Sequence, residues 1–149
     1  MAAEKPDGLP RKRLSRGSRP GSPSHHLMTN GVTRVVALGA SNLTLGLQTA
    51  IATSRAAFGP SVEILVANGY GRSYGAVSSI AGRALPGILQ SGLWKEMERL
   101  GPAPTRAIIM DVGNDILYGV PPARILDRVD EAAGRLLAHT IDVSIPDLP

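Results

Sequence analysis

Three short stretches of the sequence carry polar side chains directly after an apolar run, where catalytic groups can be held. They are LGASN at 38–42, NGYGRS at 68–73 and VGNDILYG at 112–119. A serine at a turn from strand to helix holds its hydroxyl outward, and the helix N-terminus favours negative charge that develops nearby. A serine that attacks as an alkoxide needs both an accessible hydroxyl and stabilisation of its negative charge, so Ser41 is a candidate nucleophile.

The second and third stretches could stabilise the oxyanion that such an attack produces. Backbone N–H groups in a glycine-rich turn and an asparagine side chain are suitable donors, and Gly71 and Asn114 fit these roles. Each stretch alone has a simpler, non-catalytic interpretation. Ser41 or Asn42 would only cap a helix, and the Asn114 side chain would only form hydrogen bonds with the backbone of a turn. The residues alone therefore leave both interpretations open.

The segments around these stretches predict an α/β fold. Short runs rich in Val and Ile are typical of strands, at 33–39, 61–67, 105–112 and 141–145. Apolar residues at helical spacing lie between them, at 43–58, 75–83, 92–100 and 122–139. This alternation indicates a parallel sheet covered on both faces. Ligands bind such sheets beyond the carboxyl ends of the strands, where the three stretches would meet if their strands are neighbours.

The three stretches resemble, in order and position, three sequence blocks of the SGNH hydrolase superfamily, also called GDSL esterases and lipases. LGASN resembles block one, NGYGRS block two and VGNDILYG block three. The resemblance covers about residues 33–149. It implies a three-layer α/β/α, flavodoxin-like parallel sheet. It also implies hydrolysis of a small carboxylic ester or thioester through an acyl-serine intermediate, without a cofactor or a metal.

The resemblance also assigns roles to individual residues. Ser41 would be the nucleophile, its own N–H and that of Gly71 would be oxyanion donors, and Asn114 would be the side-chain donor. Gly69 could take the place of Gly71. Asp115, with Gly113, would orient the loop.

The sequence departs from the family pattern within the first and third blocks. Ala40 stands where block one usually has an aspartate, and Val112 stands where block three usually has its first glycine. Around the blocks, Arg72 and Ser73 are predicted to be exposed, with contact to an acidic substrate group as the alternative. The tyrosines beside the blocks are predicted to flank a cleft: Tyr70, Tyr74 and Tyr118.

The catalytic D-x-x-H block of the family does not occur in the sequence, which ends at IDVSIPDLP. Its histidines are His25 and His26 near the N-terminus and His139 at the end of a predicted helix, where interaction with carbonyls or solvent is more common than catalysis. Loss of one triad member can lower a rate by a factor on the order of a million. We therefore expect a sheet incomplete at its C-terminus, in a chain that is a fragment or an inactive hydrolase.

The basic charge of the chain is concentrated near its N-terminus. The net charge of +4 arises in residues 1–30 from six basic and two acidic side chains, while the remaining residues carry ten of each. Residues 1–32, rich in Pro, Gly and Ser, are predicted to be a disordered tail, and 33–149 to be the hydrolase-like domain. With one Phe, one Trp and three Tyr, a base-stacking surface is poorly supplied, so we do not expect nucleic acid as a partner.

The amino-acid composition excludes several classes of protein. The sequence contains no run of roughly 18 uncharged apolar residues that could span a membrane. Its charged N-terminal region lacks the apolar segment of a secretory signal, so we expect a cytoplasmic protein. The sequence does not specify an oligomeric state. The absence of cysteine excludes disulfides and sulfur-ligated zinc. Two alternatives to an esterase remain. One is a nucleotide- or phosphate-binding module, because glycine-rich turns also hold phosphates; the other is a non-catalytic interaction protein that uses the basic tail.

Overall fold

A parallel sheet of four strands forms the centre of the computed structural model, which describes residues 32–139 and 142–146. In chain order the elements are β1 (Arg34–Leu38), α1 (Ser41–Leu45), α2 (Leu47–Phe58), β2 (Glu63–Ala67), β3 (Ser78–Ile80), β4 (Arg83–Leu85), a 3₁₀ turn (Ile88–Gln90), α3 (Leu93–Leu100), β5 (Thr105–Ile109), α4 (Gly113–Leu117), α5 (Pro122–Leu137) and β6 (Asp142–Ser144). The predicted α/β fold is confirmed.

The order of the strands places the ends of β2, β1 and β5 side by side. The sheet runs β2-β1-β5-β6 with every pair parallel, and Leu38 at the end of β1 is in register with Ala67 of β2 and Ile109 of β5. The chain moves from β1 to one side to form β2 and then crosses to the other side to form β5. The three polar stretches therefore leave the sheet at one edge, where the strand order reverses.

Apolar side chains alternate between the two faces of the strands, and helices lie on both faces. One face contributes Val36, Leu38 and Ile109 to a buried cluster with Met97 of α3 and Leu136 of α5. The opposite face lies against α2, none of whose residues is fully buried. Near-continuous apolar strands are expected in a parallel sheet that is covered on both sides.

Most predicted helices form, with one wrong assignment at 75–83. The predictions at 43–58, 92–100 and 122–139 correspond to α1 with α2, to α3 and to α5, which has Pro122 in its first turn. Residues 78–85 instead form an antiparallel hairpin of β3 and β4. Its two-residue turn has positive φ at both Ala81 (49°) and Gly82 (75°). A turn with positive φ at both positions matches the twist of paired strands, which helical spacing does not reveal.

The predicted basic tail lies outside the described residues apart from Val32, as do His25 and His26. No helix within 32–139, the range that holds all the described helices, is both long enough and apolar enough to cross a membrane.

Candidate functional site

A cleft of about 410 Å³ opens at the carboxyl ends of β1 and β5. Its lining comes from the turn after β1 and from the segment after β5: Ala40, Ser41, Asn42, Asp111, Gly113, Asn114 and Leu117. The first and third polar stretches thus share one cleft. The second stretch contacts it through the backbone N–H of Gly71, which donates a hydrogen bond to Ser41.

Ser41 reaches the cleft because β1 turns sharply into α1. Gly39 permits the turn, since a Cβ atom at this position would lie 2.8 Å from Leu43 Cβ and 3.0 Å from Met110 Cγ. Ser41 is then the first residue of α1 and is half-buried. Its hydroxyl oxygen accepts a hydrogen bond from the backbone N–H of Gly71 at 3.4 Å. A candidate nucleophile and a candidate oxyanion donor therefore lie in contact.

The position of Gly71 requires glycine. Its φ of +61° lies in the left-handed region, and a Cβ atom here would lie 1.9 Å from Ile80 Cδ1 and 2.9 Å from the Tyr118 hydroxyl. Gly69, the alternative donor, makes a different contact, since its carbonyl accepts from the N–H of Arg72 at 3.2 Å. Of the two glycines, the structure brings Gly71 to Ser41.

Asn114 lies in the first turn of α4 and lines the cleft. Its Nδ2 atom donates to the carbonyl oxygen of Arg72 at 3.2 Å. A carboxamide carries two N–H donors, so one bond to Arg72 leaves a second donor for a ligand in the cleft. The same bond fixes the side chain against the loop that carries Gly71.

Asp115 joins the third stretch to the second through a fully buried carboxylate. Its oxygens accept from Ser73 Oγ at 2.7 Å, from the Tyr74 N–H at 2.8 Å and from Arg128 Nη1 at 2.6 Å. Arg128 passes directly over Gly75, where a Cβ atom would lie 2.2 Å from the guanidinium Nε. The glycine loop and α4 are therefore held together by a charged, desolvated contact.

Arg72 and Ser73 are buried, so the prediction that they are exposed is wrong. Arg72 is 8% exposed and Ser73 is 0% exposed. The Arg72 guanidinium donates to the carbonyls of Asn68 and Pro86, and burial lowers the pKa of Arg72. Both polar side chains stay inside because the loop folds back and satisfies them with its own carbonyls and with Asp115.

Asp111 is a site residue that the sequence interpretation missed. Its carboxylate accepts from the N–H groups of Ala40 at 3.0 Å and Leu43 at 2.8 Å, and from Asn42 Nδ2 at 2.6 Å. It does so from a backbone φ of +65°, which is uncommon outside glycine but tolerated by aspartate. A carboxylate from the segment after β5 thus accepts hydrogen bonds from the start of α1. The only sequence signal is an aspartate directly after an apolar strand.

Tyr74 is fully buried beneath the cleft, whereas Tyr70 and Tyr118 are about half exposed. The Tyr74 hydroxyl donates to the Met110 carbonyl at 2.7 Å and approaches the Leu38 carbonyl at 3.3 Å. Burial raises the pKa of Tyr74 well above its usual range. This phenol ties the ends of β1 and β5 together in its neutral form.

The raised pKa of Tyr74 predicts loss of stability at alkaline pH. An unfolded phenol ionises near its usual pKa of about 10, while the folded one stays protonated, so stability is full below about pH 10 and falls as pH rises toward the folded pKa. Thermal melts of wild-type protein and Tyr74→Phe between about pH 8 and pH 11 test this linkage. The melting temperature of wild type should fall more steeply above about pH 10, and parallel slopes would contradict the prediction.

His139 lies away from Ser41, near the amino-terminal end of β1. It lines a second cleft with Met97 and Gly101, and the Gly101 carbonyl accepts from Arg34, the first residue of β1. Ser41 follows the other end of that strand. Within residues 32–139 and 142–146, where His139 is the sole histidine, no imidazole is placed to act on Ser41.

The described ranges contain no group of three or more histidine or acidic side chains that could hold a metal ion. The cleft itself presents the hydroxyl of Ser41 and the side-chain amides of Asn42 and Asn114. No protein-family model matches the chain, and no curated protein or solved structure is similar enough to match it.

Proposed function

We propose that the cleft is the site of a serine hydrolase of SGNH or GDSL type on a flavodoxin-like, three-layer α/β/α sheet, acting on carboxylic esters or thioesters. One observation carries the proposal: the Gly71 N–H lies 3.4 Å from the Ser41 hydroxyl oxygen, in contact with a cleft that Asn114 also lines. The order of these residues along the chain agrees with the resemblance described above.

In the proposed reaction, Ser41 Oγ attacks the carbonyl carbon, the hydroxyl proton passes to solvent water, and the carbonyl double bond opens to give a tetrahedral intermediate. The negative oxygen of this intermediate receives hydrogen bonds from the N–H groups of Gly71 and Ser41 and from the free amide proton of Asn114. When the intermediate collapses, the carbonyl re-forms and the bond to the leaving group breaks; the leaving group takes up a proton from water and departs as the alcohol or thiol. The remaining acyl-serine is then hydrolysed by water to the acid and free Ser41. Removing one such donor typically lowers the rate by a factor of about 100 to 1,000.

We expect the reaction of Ser41 to be slow when only the described residues contribute. Loss of a triad histidine lowers rates by a factor on the order of a million, while the remaining oxyanion hole and binding groups retain about a thousandfold over water. An activated phosphonate, which reacts more readily than an ester, is accordingly the more sensitive probe.

The position of Asp111 disfavours the phosphate-binding alternative. A phosphate at the start of α1 would use its free N–H groups, but the Asp111 carboxylate already accepts from Ala40 and Leu43. A second anion would be repelled there.

A fluorophosphonate probe tests the proposed nucleophile. Wild-type protein should become labelled, and Ser41→Ala should not. Ser61→Ala is a matched control, because Ser61 is exposed and precedes β2 at the other edge of the sheet. It should label as wild type does. Equal labelling of wild type and Ser41→Ala would exclude Ser41 as the reactive residue.

A further inference from the structure

Gly71 is held from both sides by polar contacts. Its N–H donates to Ser41 Oγ at 3.4 Å, and its carbonyl oxygen accepts from the Tyr118 hydroxyl at 2.6 Å. Tyr118 is the residue directly after α4, the short helix that also carries Asn114. Residues 114–118 therefore supply one candidate oxyanion donor, Asn114, and contact the other candidate donor, Gly71.

The glycine loop needs such a contact to fix the direction of the Gly71 N–H. Glycine occupies positive and negative φ about equally, so its own backbone does not select the +61° observed here. The following residues are held separately, Arg72 by Asn114 and Tyr74 by Asp115. Within the described chain, the Tyr118 hydroxyl is the side-chain donor to the Gly71 carbonyl.

We infer that Tyr118 is a positioning residue of the oxyanion hole. Its hydroxyl holds the Gly71 carbonyl so that the N–H of the same residue points at Ser41. The catalytic meaning of this role depends on the proposed hydrolase function. The structural part of the inference, that Tyr118 orders Gly71, stands on the hydrogen bond alone.

Tyr118→Phe removes the contact while changing a single atom. We expect the maximal rate of Ser41 phosphonylation to fall about tenfold, the fold-change for one hydrogen bond of ordinary strength. The probe concentration that gives half-maximal rate should stay the same, because the lost contact aligns a donor used in the transition state. The melting temperature should change little, because the side chain is 47% exposed.

Tyr70→Phe is a matched control for the loss of a hydroxyl. Tyr70 precedes Gly71 and is 52% exposed, and the structure does not place it in the lining of the cleft as the sequence had predicted. Its hydroxyl makes no hydrogen bond to any described residue. Its substitution should leave both the labelling rate and the melting temperature at wild-type values. Equal loss of labelling rate in the two variants would overturn the inference.

Hydrogen exchange of the Gly71 amide, measured by NMR, tests the positioning without any reaction at Ser41. Exchange should be faster in Tyr118→Phe than in wild type and unchanged in Tyr70→Phe. If wild type is not labelled but this acceleration is seen, the proposed function fails and the positioning role is supported. Unchanged exchange in Tyr118→Phe would overturn the role, whatever the labelling shows.

Discussion

Replacing Asp115 with alanine is expected to destabilise the protein by about 3 kcal/mol, near the lower end for breaking a buried ion pair. The carboxylate is fully buried and accepts from Ser73, from the Tyr74 N–H and from Arg128, whose side chain is 20% exposed. Without it, two buried donors and a mostly buried cation lose their acceptor. Leaving such groups unsatisfied costs more than the net value of the bonds themselves.

Denaturant unfolding of wild type, Asp115→Ala and Glu131→Ala measures this effect. Glu131 pairs with Arg135 on the exposed surface of α5, so its loss should cost no more than about 0.5 kcal/mol. Asp115→Asn keeps the volume and one acceptor oxygen and should fall between the two alanine variants. Equal losses for Asp115→Ala and Glu131→Ala would show that the buried contact does not hold the glycine loop to α4.

Gly71→Ala is expected to lower the rate of Ser41 labelling by a factor of about 100 or more, the typical effect of losing one oxyanion donor, which is the role proposed for Gly71. The left-handed φ of +61° also strains any L-residue by about 1–2 kcal/mol. The new methyl group would meet Ile80 Cδ1 at 1.9 Å and the Tyr118 hydroxyl at 2.9 Å. Ile80 is partly exposed and can move, so displacement of Tyr118 and of the loop is the larger consequence for the site.

Gly82→Ala separates backbone strain from loss of the donor. Gly82 has a φ of +75° in the turn between β3 and β4, and nothing lies within 4 Å of an added Cβ atom. Its substitution should therefore cost a similar amount of stability, about 1–2 kcal/mol, while labelling of Ser41 stays at the wild-type rate. If both alanine variants label as wild type does, Gly71 is not an oxyanion donor.

The sheet and the meeting of the three stretches could be predicted because both follow from local patterns. Short Val- and Ile-rich runs separated by helical spacing indicate parallel strands, and parallel strands share one carboxyl edge. Ser41, Gly71 and Asn114 each lie within a few residues of such a strand end. Their convergence also requires β1, β2 and β5 to be neighbours, which the sequence left as a condition and the structure shows.

The contacts that hold the site together could not be predicted in this way. Asp111 reaches Ala40 across 71 residues, and Tyr118 reaches Gly71 across 47. Such pairs depend on side-chain directions that no periodicity encodes. The β3–β4 hairpin could not be predicted for a related reason. Its turn has a positive φ at Ala81, whereas such turns are usually recognised by Asn or Gly at that position. The burial of Arg72 likewise depends on carbonyls that only the folded loop presents.

The most direct test of Ser41 as an attacking nucleophile is mass spectrometry of the protein after mixing with a short activated acyl ester and quenching in acid. Hydrolysis through an acyl-serine predicts that the mass of one acyl group appears on the peptide that contains Ser41. The same peptide of Ser41→Ala should remain unmodified. An acyl group found only on other residues, or retained in full by Ser41→Ala, would contradict the assignment of this cleft as a hydrolase site.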